Sequence, residues 1–483
     1  MKLLIGSEAT DRSKRMINAL IIGGIYLIIL FVLSAFLIRK ALTSFEDYSY
    51  CGRSLGIGFV FFTYLGTWIG GGTIIGLVGR SHDYGASQYW IMAMACFVEL
   101  FFAFFLIDKI RDKEYKSITG FFASNYPMHG GIIRIPAAAA LLIRNVTMIA
   151  MQFSALSYLI TITFGIDRSL ALMIIFIVVI GYTVLSGLWG VAMTDVFQGV
   201  LQTFSIIALI VVTLYAAGGI SNIENFYLEE EGLDSLNLFS TSMSWYEIIM
   251  FIVAFGLFFM MNDQTNWERI YASKGNRTAK WGFMLPLVIT LISLVMISYL
   301  GVFQRVISGG VEDSQSVLYT FLLDRGGSIL TILIMVGLIA AIMSSADSFL
   351  LASGIMITED IIKTFIIRDM SDRAMIFFTR IFVVVTGSIA FTFAININDI
   401  LSLWLTGIGM TSIILLPGYF LGWSRRKPAT DTVLAGMCAG SICVLLMIFG
   451  ILPVEAPYIC ACCVLNLLIC AIPAKRDRIS DNA

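Results

Sequence analysis

Histidine is almost missing from this chain, with two in 483 residues, His82 and His129. Both are expected in loops, so no histidine–acid or serine–histidine set converges, and a hydrolytic enzyme is disfavoured. Charge is scarce as well: Asp, Glu, Lys and Arg make up 13% of the chain, against about 25% in a soluble protein. With a formal net charge of −1 and no basic stripe, nothing points to nucleic acid. Only eight prolines interrupt the sequence. Cysteine also numbers eight, but Cys460, Cys462, Cys463 and Cys470 crowd into one apolar run without a histidine. Thiols in such a run behave as small hydrophobes, which argues against a metal centre or a disulfide framework.

What fills the chain is hydrocarbon. Hydrophobic residues make up 58% and mean hydropathy is +0.90. Runs of about 20 apolar residues mark membrane helices. They predict an all-α polytopic protein with about thirteen spans: 16–38, 55–79, 85–108, 133–163, 168–186, 190–217, 244–266, 279–303, 327–356, 374–395, 399–423, 431–451 and 456–474. The first is read as a mature helix, because no clean small-x-small cleavage site follows it. No soluble domain is left over. Residues Ser117 to Tyr126 read as a short surface helix.

Lys and Arg accumulate in one set of alternate loops, which assigns that set to the cytoplasm. It contains Arg39, Lys40 and Arg53, then Lys109 to Lys116, Arg269 to Lys280, Lys363 to Arg373, Arg425 to Lys427, and Lys475 to Arg478. The opposite set has Arg80, Arg168, Arg305 and Arg325, and the acidic connector Glu224 to Asp234. The expected topology is plasma-membrane, multi-pass, with the N-terminus outside and the C-terminus inside. Lys2, Arg12, Lys14 and Arg15 oppose it but are outnumbered.

Polar interruptions inside the spans point to function. Ala341, Ser344, Ser345 and Ser348 fall on one helical face, and Asp347 edges it. A carboxylate at mid-membrane costs roughly 2.5–3.5 kcal/mol on insertion scales and marks a functional position. Its hydroxyl neighbours suit a hard cation. Asp195, sharing a face with Gln198 and Gln202, is either a first-turn residue favoured by the helix dipole or a second carboxylate facing Ser344 and Ser348. In Thr67-Trp68-Ile69-Gly70-Gly71-Gly72-Thr73, three glycines weaken a helix at membrane depth, where unwound backbone survives only beside a cavity or inside protein. The run Asn262 to Arg269 reads either as a second broken helix or as the cytoplasmic exit of its span. Glu99 and Arg144 are expected to pair. The two interrupted spans lie five helices apart in opposite orientation, as in two inverted halves of a secondary transporter. The divisions are 1–54, a first repeat 55–217, a loop 218–243, a second repeat 244–423, and two added helices and a tail in 424–483.

Four segments in order resemble the sodium:solute symporter family: Gly52-Arg53-Ser54-Leu55-Gly56, the Thr67 to Gly72 break, Tyr182 to Leu188 with Thr194 to Gln198, and Met343 to Ser348 running on to Thr358-Glu359-Asp360. The resemblance implies a LeuT-like five-plus-five inverted-repeat core and alternating access driven by sodium. It implies a first sodium site on backbone oxygens of Gly66, Ile69 and Ala341 with the hydroxyls of Ser344 and Ser345. A second sodium site, found in some members, would fall on Asp195, Ser344, Asp347 and Ser348. The chamber for a small organic solute would be bounded by Trp68, Gly70, Gly72, Trp90, Gln152 and Asn262. In choline-transporting relatives the position of Trp68 contributes to an aromatic cage. Where members often carry Gln-Arg, this chain reads Trp267-Glu268-Arg269. Amino acid, organic cation, carboxylate, sugar and vitamin all remain open as solute, and the sequence is silent on oligomeric state. The alternatives are a proton-coupled transporter using Asp195 and Asp347, a channel, and a sensor that binds solute without moving it.

Overall fold

The computed structural model describes residues 2–240, 263–311, 313–314, 316–324, 328–396, 400–425 and 427–473. Its principal helices are α1 (Lys2–Phe36), α2 (Ile57–Trp68), α3 (Leu77–Tyr84), α4 (Trp90–Asp112), α5 (Ile118–Asn125), α6 (Arg134–Phe164), α7 (Arg168–Ala216) and α8 (Gln264–Ala272). They continue as α9 (Asn276–Ser308), α10 (Val317–Asp324), α11 (Ile329–Met356), α12 (Asp372–Asn396), α13 (Ile400–Gly422), α14 (Thr430–Ile448) and α15 (Ala456–Cys470). Among the described residues, nine helices are long and apolar enough to cross a membrane. The pair Ile57–Trp68 and Gly72–Tyr84, bent by 49°, makes a tenth, and two shorter apolar helices lie near the C-terminus. The expected span 244–266 lies outside the described residues except for its last four positions.

The helices sort by what surrounds them. α1 keeps Tyr26 and Leu30 buried and leaves Ile17, Leu20, Ile25, Ile28 and Val32 exposed, the pattern of a helix with one face toward lipid. Past its first residues α11 has no exposed face, being enclosed on all sides, and every residue from Ala340 to Met356 is buried. It packs most extensively against α7 and also contacts α6, α12 and α2. The serine row therefore sits at the centre of the bundle.

Two backbone breaks shape the bundle. α7 turns at Gly187 (φ 56°, ψ −149°), dividing it into two spans. A Cβ at Gly187 would lie 2.3 Å from the Tyr48 carbonyl oxygen, so only glycine fits there. In α13, Pro417 has no N–H to offer the carbonyl of Ile413, one turn earlier. Asn466 of α15 donates to that carbonyl at 2.7 Å and pins the added C-terminal helices to the core.

The segment before α6 departs from expectation. α5 is not a surface helix: Ile118, Phe121, Phe122 and Tyr126 are buried. Phe121 packs on Trp267, Tyr419 and Trp423, and the Tyr126 hydroxyl donates to the Gly418 carbonyl at 2.6 Å. Phe121, Phe122 and the following Tyr126 form an aromatic wedge, which a reading based on short length and loop context misses. Nor is His82 in a loop. It is buried in α3, with Asp83 at 2.8 Å and Ser308 at 3.1 Å from its ring nitrogens.

Charged side chains knit the end of the bundle where the basic loops gather. Lys116 bridges Glu46 (2.9 Å) and Glu359 (3.5 Å), Tyr50 donates to Glu359 at 2.5 Å, and Arg134 pairs with Asp360. Burial draws the Lys116 ammonium down, but Glu359 and Glu46 more than offset it and leave it above its ordinary range. Leu55 and Ser273 form a parallel bridge through Leu55 N–H to Ala272 O (3.1 Å) and Lys274 N–H to Leu55 O (2.9 Å). This clips the segment before α2 to the end of α8.

Candidate ion and solute site

The glycine-rich stretch does interrupt its span. α2 ends at Trp68, Ile69 leaves helical geometry (φ −98°, ψ 77°), and a π-helical turn restarts the chain at Gly72–Gly76. Polar side chains take over the backbone groups that the break releases. Gln152 Oε1 of α6 accepts from the Gly71 N–H at 2.7 Å, and Thr73 Oγ1 donates to the Trp68 carbonyl at 2.9 Å. Gly70 is wedged between two helices: a Cβ there would lie 2.6 Å from Ser345 Oγ and 2.8 Å from Gln152 Nε2.

The serine row of α11 meets the broken helix one turn before the break. Ser344 Oγ donates to the carbonyls of Gly66 (3.2 Å) and Ala341 (3.0 Å). Ser345 Oγ approaches the same two oxygens at 2.9 and 3.3 Å. Four buried oxygens thus form a ring with sides of 2.9–3.3 Å. A cation of the size of Ca²⁺ or Na⁺, at about 2.3–2.6 Å from its ligands, holds oxygens at right angles about 3.3–3.7 Å apart. The ring fits such an ion after opening by a few tenths of an ångström. Each hydroxyl need only rotate its hydrogen away and turn a lone pair inward. Ile69 lies at the break itself, three residues from Gly66.

Asp195, Asp347 and Ser348 lie on the neighbouring side of Ser344. Thr63 donates to Asp195, and the Ser348 hydroxyl is 3.4 Å from Asp347 Oδ1. Arg269 stands among them, which the sequence reading missed by treating its segment in part as a cytoplasmic exit. Every residue from Asp263 to Ala272 is buried. The Arg269 guanidinium donates to Ser348 Oγ (2.7 Å), Thr63 Oγ1 (3.0 Å) and the Thr265 carbonyl (3.0 Å), with Asp195 Oδ2 at 3.9 Å. The available signal was the run of polar residues continuing past Asn262 without a break, longer than a helix end requires.

Glu99 does not pair with Arg144. It accepts from Trp68 Nε1 at 2.7 Å and Asn266 Nδ2 at 3.1 Å, joining the first broken helix to α8. Arg144 instead pairs with Asp263 at 2.9 Å. Asp263 is also the N-cap of α8, accepting from the Thr265 N–H at 2.9 Å. A carboxylate that must cap a helix inside protein needs a cation more than one with two neutral donors does.

Of the residues expected around the solute, Gly70, Gly72, Trp68 and Gln152 gather at the break. Trp90 does not join them. It opens α4, its indole N–H donates to the Leu238 carbonyl at 2.7 Å, and its ring lies among Tyr89, Phe97 and Phe239. Glu99, which touches Trp68, is nine residues further along α4, so Trp90 lies about 13 Å away along the helix axis. Asn262 lies outside the described residues.

Known proteins with this pattern carry solutes. The osmoregulated proline transporter of Bacillus subtilis is 24% identical over 448 residues, 89% of each chain. The sodium/proline symporter 2 of Staphylococcus saprophyticus is 23% identical, covering 94% of this chain and 90% of its own. The human high affinity choline transporter 1 is 24% identical over 80% of this chain and 68% of its own. Among solved structures, a Na⁺-coupled sialic acid symporter in a substrate-bound outward-open state, described as revealing a novel Na⁺ site, superposes with a TM-score of 0.80. That match has 17% identity and covers 95% of this chain and 99% of the other. MhsT with L-phenylalanine gives a TM-score of 0.53 at 17% identity, covering 86% of this chain and 97% of its own. The fold is that of the LeuT-like transporters. The model of the sodium:solute symporter family matches residues 48–440, and the chain belongs to that family.

Proposed function

We propose that the chain carries a small amino acid, with proline the first to test, into the cell together with sodium bound at the four-oxygen ring. The ring carries this reading: it joins the broken helix to α11, so an ion there ties together two elements that must move relative to one another in alternating access. Its ligands would be the carbonyls of Gly66, Ile69 and Ala341 and the hydroxyls of Ser344 and Ser345. The solute would lie against Gly70, Gly72, Trp68 and Gln152, with Asn262 a further candidate from the family resemblance and Trp90 on the outer approach.

A carboxylate on the solute is favoured by the half-helix Gly72–Tyr84, which begins at the break and turns its positive end toward it. The Gln152 amide nitrogen, beside Gly70, offers a donor to the same group. Trp68 gives the ammonium end an aromatic wall, and Glu99 and Tyr64 (3.2 Å) fix its ring through the indole nitrogen. The two named proline relatives support this choice. The Lys and Arg distribution supports a plasma-membrane chain with its N-terminus outside and C-terminus in the cytoplasm. Repeats over 55–217 and 244–423 would supply the two inverted halves.

In proteoliposomes, an inward sodium gradient is expected to drive radiolabelled proline above its external concentration, and an equal potassium gradient is not. Collapse of the sodium gradient by an ionophore should release it. Uptake driven equally well by an acid gradient without sodium would overturn the reading; choline or sialic acid moving in place of proline would overturn the choice of solute alone.

A further inference from the structure

At the end of the bundle where the basic loops gather, a cavity of about 440 Å³ opens between the connector after α4, the starts of α5 and α6, and the π-helical segment Ile357–Ile366 that continues α11. Five cations line it, Lys113, Lys116, Arg134, Lys363 and Arg368, against the carboxylates of Glu114, Glu359 and Asp360. Each carboxylate is already held: Glu114 by Arg53 at 2.6 Å, Glu359 by Lys116 and the Tyr50 hydroxyl, and Asp360 by Arg134. Lys113, Lys363 and Arg368 have no carboxylate within ion-pair distance among the described residues. Arg53 and Glu46, which reach in from outside the cavity, cancel one another, so the lining keeps a formal charge of +2.

The cavity lies at headgroup depth. The 28 residues of α11 rise about 42 Å, the thickness of a bilayer with its polar layers, about 40–45 Å. The segment that follows is amphipathic: Phe365, Ile366 and Ile367 are exposed beside Lys363 and Arg368. An exposed apolar triplet flanked by basic residues suits the boundary between headgroups and acyl chains. A soluble anion would meet the cations but gain nothing from the triplet, whereas a lipid phosphate uses both. The volume falls within the roughly 300–1,000 Å³ of small-molecule sites, enough for a phosphate with its polar substituent.

We propose that this cavity binds the phosphate headgroup of an anionic membrane lipid, with Lys113, Lys363 and Arg368 as its charge partners. A headgroup there ties the end of α11, whose serines form the ring, to the connector between α4 and α5.

Scintillation-proximity binding of radiolabelled phosphatidylglycerol to the full chain in neutral-detergent micelles tests this. The wild type should bind saturably. Unlabelled phosphatidylglycerol should displace the label, and phosphatidylcholine, whose phosphate is neutralised by its own ammonium, should not. Each basic residue near a membrane surface contributes about fivefold, so Lys113→Gln/Lys363→Gln/Arg368→Gln should weaken binding on the order of 100-fold. Arg39→Gln/Lys274→Gln/Arg277→Gln, which removes the same charge from the same end outside the cavity, should bind as the wild type does. Arg368→Gln alone, at an exposed position, should cost about fivefold and serves if the triple variant does not fold. Equal losses in the two triple variants would overturn the cavity in favour of general surface charge. Displacement by phosphatidylcholine would overturn the need for an anionic headgroup. Inorganic phosphate displacing the label as effectively as the lipid would assign the cavity to a soluble anion and overturn the lipid.

Discussion

Removing both ring hydroxyls, in Ser344→Ala/Ser345→Ala, is expected to raise the sodium concentration for half-maximal uptake on the order of 100-fold or more. The reason is the composition of the ring. Its other ligands are backbone carbonyls, which no side-chain substitution removes, so the two hydroxyls carry all the binding that sequence can alter. Each charge-assisted contact contributes about 1.5–3 kcal/mol, and every 1.4 kcal/mol is a factor of ten. The substitution leaves no large cavity, and the carbonyls of Gly66 and Ala341 lose donors they can partly replace within their own helices. Folding should therefore survive. Ser344→Thr/Ser345→Thr, which keeps both oxygens, should stay within a few-fold of the wild type. Sodium titration of uptake in the three chains checks this, and an alanine variant with wild-type sodium dependence would place the ion elsewhere.

The second large effect concerns folding. Arg144 and Asp263 form an ion pair with both side chains almost fully enclosed. Replacing Arg144 by Leu leaves a carboxylate in the interior to which, among the described residues, Thr265 alone donates. Breaking a buried pair in this way costs roughly 3–5 kcal/mol. Asp263→Asn should cost less than Asp263→Ala, because the amide oxygen still caps α8. Arg144→Leu/Asp263→Asn should recover part of the loss, since no uncompensated charge remains. Unfolding in mixed micelles with increasing denaturing detergent measures all four; equal stability of Arg144→Leu and wild type would contradict the assignment.

These two sites were unequally legible in the sequence. The serine row could be found because its i, i+3, i+4, i+7 spacing puts Ala341, Ser344, Ser345 and Ser348 on one face of a mostly apolar helix. Most span boundaries followed from the length of apolar runs. Partner choice did not. Glu99 and Asp263 flank Arg144 at 45 and 119 residues' distance in sequence, and hydropathy carries no information about which faces meet. Arg269 was harder still. A basic residue closing a polar run looks like the end of a span, and its burial becomes visible only once Asp195 and Ser348 arrive from α7 and α11. Trp90 was expected in the solute chamber from the family resemblance, whereas its position at the start of α4 places it at one end of the bundle. α5 was misjudged because a short amphipathic segment between charged loops has the same composition whether its aromatic face meets water or protein.

Arg269 also ties the proposed ion site to α8. α8 carries Asp263 at its start, Asn266 bonded to Glu99, and Arg269 beside Asp195. One short buried helix thus touches Arg144 of α6, the Glu99 that holds Trp68, and Asp195 of α7. Sodium on the proposed ring would change the field at Asp195 and therefore the hold of Asp195 on Arg269, a physical route from ion binding to α8.

The most direct test of a sodium site formed by Gly66, Ala341, Ser344 and Ser345 needs neither solute nor vesicle. It is the thermal midpoint of the purified chain, titrated with sodium, potassium and choline chlorides at constant ionic strength. An ion that binds only the folded state stabilises it by RT ln(1 + [L]/Kd), about 2.7 kcal/mol at 100 times Kd. The account predicts a rise with sodium alone, absent from Ser344→Ala/Ser345→Ala. Identical midpoints in the three salts would contradict it.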